Sequence, residues 1–450
     1  MEKKKFERPY IRKIQAGMPA KFGMPVKVDP ITHIEGIPVN ELTSRFGSPL
    51  FVLSEKVIRN RYQQAKRAFE TRYPSVQFAW SYKTNYLDAV CRTYHQEGSW
   101  AEVVSGYEYE KALRNGVPGG RIIFNGPDKS IADLEMAVDN NSLIHIDHFD
   151  ELYDLSEVAR KSGKKPRVAI RVNMDTGIYP QWDRFGFNYE NGDAWDAINR
   201  IIRGGQLELT GLHCHIGTYM LSTSAYKIAA GKLASLMTET YNRHQVIIRY
   251  LDLGGGFASQ NTLKGSYYKG YDTAPSFDDY AEAISGALME FSFPENKTPM
   301  LILETGRALI DDAGFLLGKV IANKRLASGQ RATILDTGVN LLFTSFWYEH
   351  DIHPAQESSD HLEETTLYGP LCMNIDVIRE AIAFPLLKKG DGFVIRRIGA
   401  YNMTQWMQFI TFRPNVVMID MNGKAHVIRR SENLETIVSQ EEIPDHLKNI

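Results

Sequence analysis

The chain is poor in cysteine, nearly balanced in charge and free of long apolar runs. Its three cysteines, Cys91, Cys214 and Cys372, are widely spaced, which excludes a disulfide framework or a metal-ligand pattern among them. Such thiols fit a reducing compartment. A formal net charge of -2 gives no reason to expect nucleic acid or anionic lipid as a partner. No apolar stretch is long enough to span a bilayer, and no apolar signal core follows the charged start Met1 to Lys5. The expected location is therefore cytoplasmic, with no membrane and no nucleic acid bound. The dinucleotide spacing G-x-G-x-x-G is also missing.

What is present is the composition of a folded chain: 450 residues, 43% hydrophobic and 24% charged. That length exceeds one ordinary core and predicts two domains. Val57 to Tyr73 has apolar and aromatic residues at helical spacing and stops ahead of Pro74, which disfavours helix in the residue before it. Strand-like runs follow at Val76–Lys83, Ala101–Val104, Arg121–Phe124, Leu143–Ile146, Arg167–Val172, Thr210–His215, Ile248–Leu253 and Met300–Leu303. Helical stretches such as Gly106–Asn115 and Ile131–Asn140 lie between many of them. Strands alternating with helices in this number predict an α/β fold, a (β/α)8 TIM barrel, with an open doubly wound sheet as the competing layout. After Gly314 the texture turns to short β-rich runs at Phe315–Ile321, Ala332–Leu335, Phe393–Ile398 and Val416–Ile419, with a turn signal at Asn422-Gly423. The expected division is an N-terminal segment 1–48 contributing to an all-β domain, a barrel over 49–314 and the rest of the β domain over 315–450. Phe22–Pro38 reads as strand-like, and Pro354–Thr366 as a surface loop.

The ends of the barrel runs carry Lys83, Ser105, Asn125, Asp147, Asn173, His215, Gly254 and Glu304. In a barrel they would gather at the C-terminal face, where active sites sit; turns also end in such residues. Lys83 is either a surface lysine or a nucleophile, and the second role needs its pKa depressed by burial or a neighbouring cation. Gly254, Gly255 and Gly256 let backbone N–H groups converge on a phosphate, or serve a tight turn. Glu304 is placed to pair with a pyridine nitrogen and Arg307 with phosphate or carboxylate, unless both belong to surface ion pairs. His213 and His215 are two apart in sequence and are no obvious metal pair. His215 is either a core histidine or a group that lies flat on an aromatic cofactor. Cys372, in Gly369–Cys372, is either a structural thiol or a proton donor.

Taken together the chain resembles the fold-type III pyridoxal-phosphate decarboxylases, the diaminopimelate and ornithine decarboxylase group. The motifs that carry the resemblance are SYKTN around Lys83, AEVVSGYE at Ala101–Glu108, FNGPDKS at Phe124–Ser130 and GLHCHIGT at Gly211–Thr218. LDLGGGF at Leu251–Phe257, ETGR at Glu304–Arg307, GPLC at Gly369–Cys372 and GAY at Gly399–Tyr401 complete it. It implies a barrel plus a β domain, pyridoxal 5'-phosphate as cofactor, an amino-acid substrate, release of CO2 and an amine, and a head-to-tail homodimer with active sites at the interface. It implies that Lys83 carries the cofactor as a Schiff base, His215 stacks on its ring and Glu304 pairs with its ring nitrogen. Gly254, Gly255, Gly256, Thr218, Arg307 and Tyr401 would hold the phosphate region. Cys372 would reach across from a partner subunit to return a proton. An amino-acid racemase of the same fold type, or an inactive regulatory homologue, are the alternative functions.

Four positions depart from that family. Thr305 replaces a common proline and Arg184 a common lysine. Thr344 stands where the resemblance implies an arginine gripping the distal carboxylate of diaminopimelate, and Met373 where it implies a glutamate facing the distal amine. Tyr348-Glu349 instead looks like the ornithine-decarboxylase version. Arg307, Tyr348, Glu349 and Met373 are thus the expected substrate-facing set, for a substrate that is a basic, modified or tethered amino acid rather than meso-diaminopimelate.

Overall fold

The computed structural model describes residues 28–358 and 361–448. Eight parallel strands close on themselves: β1 (Val76–Ser81), β2 (Trp100–Val103), β3 (Ile122–Phe124), β4 (Leu143–Ile146), β5 (Arg167–Asn173), β6 (Glu208–His213), β7 (Tyr250–Asp252) and β8 (Met300–Leu303). Each pairs with the next in sequence, and β8 returns to β1 through Leu301 opposite Val76. All eight expected runs are strands, and they close into the expected barrel rather than the competing open sheet. The reason is burial: strands covered on both faces read as nearly continuous apolar runs. The helix Glu55–Glu70 is capped by Ser54, whose side chain accepts from the Val57 N–H, and turns Ile58, Tyr62, Ala65, Ala68 and Phe69 inward.

The second sheet runs Val377–Pro385, Leu362–Tyr368, Arg331–Leu335, Gly314–Arg325, Leu50–Ser54, Val416–Ile419 and Ala425–Arg429, with Gly392–Arg396 also pairing to Gly314–Arg325. Two expectations change here. Leu50–Ser54, expected at the start of the barrel, is the central strand joining Gly314–Arg325 to Val416–Ile419. All five of its side chains are buried, so the run announces a covered strand but not which sheet covers it. Pro354–Thr366 is not one surface loop: Leu362–Thr366 is strand, because Thr365 and Thr366 are buried β-branched residues while Glu363 pairs outward with Arg325. Of Phe22–Pro38, residues 22–27 lie outside the described residues. His33–Ile34 and Ile37–Pro38 form a small hairpin, and Ile34 packs with Leu50, Val52, Leu317 and Val417. The turn at Asn422-Gly423 joins the last two strands as expected.

Candidate active site

The carboxyl ends of the barrel strands open into a cavity of about 320 Å³ lined by Lys83, His215, Thr218, Gly255, Gly256, Glu304, Arg307 and Tyr401. Gly254 completes the glycine turn just behind this lining. Tyr348 reaches it only through Arg307, whose guanidinium carbon lies 4.9 Å from the Tyr348 ring centre. Glu349, Cys372 and Met373 do not line the cavity of this chain. Glu349 is paired with Arg379 at 3.3 Å, and Cys372 is exposed.

Lys83 lies in the short 3-10 turn Tyr82–Thr84 that follows β1. Its Nζ donates to both oxygens of Glu102, at 2.8 and 2.6 Å. The expected depression of its pKa is not found. Burial works in that direction, but Glu102, Tyr401 and Glu304 outweigh it and hold the ammonium above its ordinary value. Without a bound group, Lys83 is an ammonium paired with that carboxylate.

Glu102 is the functional residue that motif reading passed over. It is the one charged side chain in the buried strand Trp100–Val103, and a carboxylate there demands a partner. The same signal marks His145 in β4 and Asp252 in β7, both buried in otherwise apolar strands. Asn125 bridges two of the acids, donating to Glu102 at 3.1 Å and to Glu304 at 2.6 Å. Glu304 also has His213 Nε2 at 3.5 Å, and burial with the Arg171 charge keeps His213 neutral, well below its ordinary pKa. Beneath it, burial and the Glu304 charge push Asp252 well upward.

The glycine turn is forced by close approach. A Cβ on Gly255 would stand 2.5 Å from the Glu304 carbonyl oxygen, and one on Gly256 would stand 2.3 Å from that of Gly217. The Gly255 N–H donates to His215 Nδ1 at 3.1 Å, so His215 is a neutral imidazole carrying its proton on Nε2. Trp182 meets the His215 ring edge-on at 5.6 Å. Gly255→Ala is expected to drive the Glu304 backbone off position. Overpacking of this kind costs about 1–3 kcal/mol, and cofactor affinity, read by a visible-absorbance titration, should fall roughly tenfold or more.

Arg307 is the most exposed to an incoming anion in chemical terms, although it is only 8% accessible. Its guanidinium sits between the rings of Tyr348 and Tyr401, at 4.9 and 4.6 Å. Its Nε and Nη1 find no hydrogen-bond acceptor among the described residues. Tyr401 holds a left-handed backbone, φ 63°, fixed by its N–H donating to the Thr84 carbonyl at 2.8 Å. A buried cation with unsatisfied donors, a glycine cradle and a lysine in one cavity fit a phosphorylated carbonyl cofactor.

Residues 55–311 match the family model described as the pyridoxal binding domain of pyridoxal-dependent decarboxylases. The chain is 31% identical over 420 residues to the diaminopimelate decarboxylase of Aquifex aeolicus, covering 90% of this chain and 94% of that one. It is 26% identical to the L-glutamyl-[BtrI acyl-carrier protein] decarboxylase of Niallia circulans, covering 90% and 96%. The crystal structure of the M. jannaschii diaminopimelate decarboxylase with L-lysine superposes with a TM-score of 0.84 at 28% identity, covering 94% of this chain and 99% of the other.

Proposed function

Because this chain belongs to the pyridoxal-dependent decarboxylases, we propose that it uses pyridoxal 5'-phosphate, held through Lys83, to remove the α-carboxyl group of an amino acid other than meso-diaminopimelate. The observation that carries this reading is the convergence of Lys83, Glu304, His215, the glycine turn and the unsatisfied Arg307 on one cavity. Bound there, the cofactor supplies an electron sink for the pair left behind when CO2 departs.

The remaining chemistry belongs to the chain. Glu102 accepts both hydrogen bonds of the Lys83 ammonium and would take the proton that Lys83 must give up to hold the cofactor. Glu304, held by Asn125, would pair with the ring nitrogen of the cofactor, and neutral His215 would lie against its ring. Gly254, Gly255, Gly256, Thr218, Arg307 and Tyr401 take the phosphate. Arg307, with Tyr348 against it, would face the substrate from this chain; Glu349, paired with Arg379, and Met373 lie outside this chain's cavity and would face substrate only from a partner subunit. Cys372 is exposed and outside this cavity, which supports a homodimer in which each chain lends its cysteine, as proton donor, to the other's site. Cys91, Cys214 and Cys372 are free thiols, which supports a cytoplasmic location; no helix among the described residues is long and apolar enough to cross a membrane.

A screen of L- and D-amino acids for CO2 release, with basic and carrier-tethered amino acids included, tests the reading. One substrate should yield CO2 and the matching amine in equal amounts. Inversion of chirality without CO2 across the panel would replace decarboxylation with racemisation.

A further inference from the structure

Asp311 has no part in the chemistry above, yet it is buried where four segments meet. Its Oδ2 accepts from Ser259 Oγ at 2.5 Å and from Asn261 Nδ2 at 3.1 Å. Its Oδ1 accepts from the Ala400 N–H at 3.1 Å, and Arg307 Nη1 stands 3.9 Å away. Ser259 and Asn261 follow the glycine turn, and Ala400 precedes Tyr401. One carboxylate therefore ties together the turn, the arginine and the tyrosine that face the anion.

A carboxylate in such a place opposes its neighbour's ligand. Arg307 is the cation that faces it. Asp312, next along, is already matched by Arg61 at 3.3 Å and Arg397 at 3.3 Å. Arg397 is further held by Asp351, and its backbone carbonyl takes the second hydrogen of Asn261 at 2.9 Å. Tyr219 and Tyr348 are the other titratable groups turned toward Asp311. An anion on Arg307 would claim the only positive charge facing Asp311 among the described residues and set two negative charges close together in a buried place.

We infer that Asp311 is the positioning residue of the anion site, and that an anion seated on Arg307 is taken up together with a proton that Asp311 holds. This rests on the proposed role of Arg307 in holding phosphate. Asp311 is already poised for it: burial, partly offset by Arg307, pushes its carboxyl up to about 6. A nearby anion favours the neutral acid and raises that value further. Binding is then tighter below the raised pKa and weakens as pH rises through it.

Sulfate is a suitable probe, since its own charge is constant over this range. It would be titrated calorimetrically into the full chain freed of cofactor, at several pH values and in buffers of different protonation enthalpy. The wild type should lose roughly tenfold in sulfate affinity between pH 6 and pH 8, as a pKa shift of one to two units requires, and should take up a proton. Asp311→Asn should show neither effect. Ser259→Ala removes a hydrogen bond to the charged form and should move the dependence to higher pH. A wild-type affinity equal at pH 6 and pH 8, or an Asp311→Asn protein that keeps the wild-type dependence, overturns the inference while leaving Arg307 as an anion site. If Arg307→Gln binds sulfate as well as the wild type, the phosphate reading itself is lost, and the inference with it.

Discussion

Lys83→Ala is expected to abolish decarboxylation, with a fall on the order of 10⁴-fold, the upper end of what one positioned proton-transferring group contributes. It should also erase the visible absorbance of the cofactor–protein conjugate, and borohydride should no longer fix cofactor to the chain. The effect is this large because nothing replaces Lys83. The other cations of the cavity are Arg171 and Arg307, and a guanidinium stays protonated and cannot act as an amine nucleophile. The variant also leaves Glu102, whose side chain is 1% exposed, as a buried carboxylate with Asn125 as its remaining donor, and an unpaired buried charge is destabilising. Loss of activity through unfolding must therefore be separated from loss of the amine. The double variant Lys83→Ala, Glu102→Gln removes the stranded charge. It should melt closer to the wild type than Lys83→Ala alone and remain inactive. A variant lacking Lys83 that kept the visible band would remove Lys83 from the chemistry.

The barrel was legible because each of its strands is an apolar run closed by a polar residue, and a parallel barrel buries both faces of every strand. The cavity residues were legible as the polar closures of those runs. The second sheet was less so. Val377–Pro385 alternates Arg379, Glu380 and exposed alanine with Ile378 and Phe384, a weak period that single-sequence reading leaves as loop. The electrostatics of the site were not legible at all. Partial burial of Lys83 can be guessed from Phe78, Trp80 and Tyr82 beside it, but the sign of its pKa shift depends on Glu102, which is 19 positions away in sequence and adjacent only once β1 and β2 pair. Asp311 is a similar case, because its partners Ser259, Asn261 and Ala400 come from segments that only the fold brings together.

Substrate choice is where the same logic gives its second large effect. meso-Diaminopimelate is expected to be turned over at no more than about 10% of the kcat/KM of the preferred substrate. The resemblance places the arginine that grips its distal carboxylate at Thr344, and Thr344 is not simply a smaller residue there. It is buried, its hydroxyl donates to Asn402 Oδ1 at 2.9 Å, and His350 Nε2 lies against the same oxygen at 2.8 Å. The one hydroxyl proton is committed. His350 supplies no charge in compensation, since burial brings its pKa down to about 3. The nearby Arg379 is neutralised by Glu349. A distal carboxylate entering this corner forfeits a charge-assisted hydrogen bond of roughly 1.5–3 kcal/mol. If it is desolvated without a partner it loses about 3–5 kcal/mol. At about 1.4 kcal/mol per tenfold, that is roughly 10- to several-thousand-fold, and the resemblance implies that Met373 in place of an acid removes the hold on the distal amine as well. The measurement is CO2 release from meso-diaminopimelate against the best amino acid in the panel, at equal enzyme and under kcat/KM conditions. Equal turnover of the two would mean that another group grips the distal carboxylate, and that Thr344 and Met373 do not set the substrate.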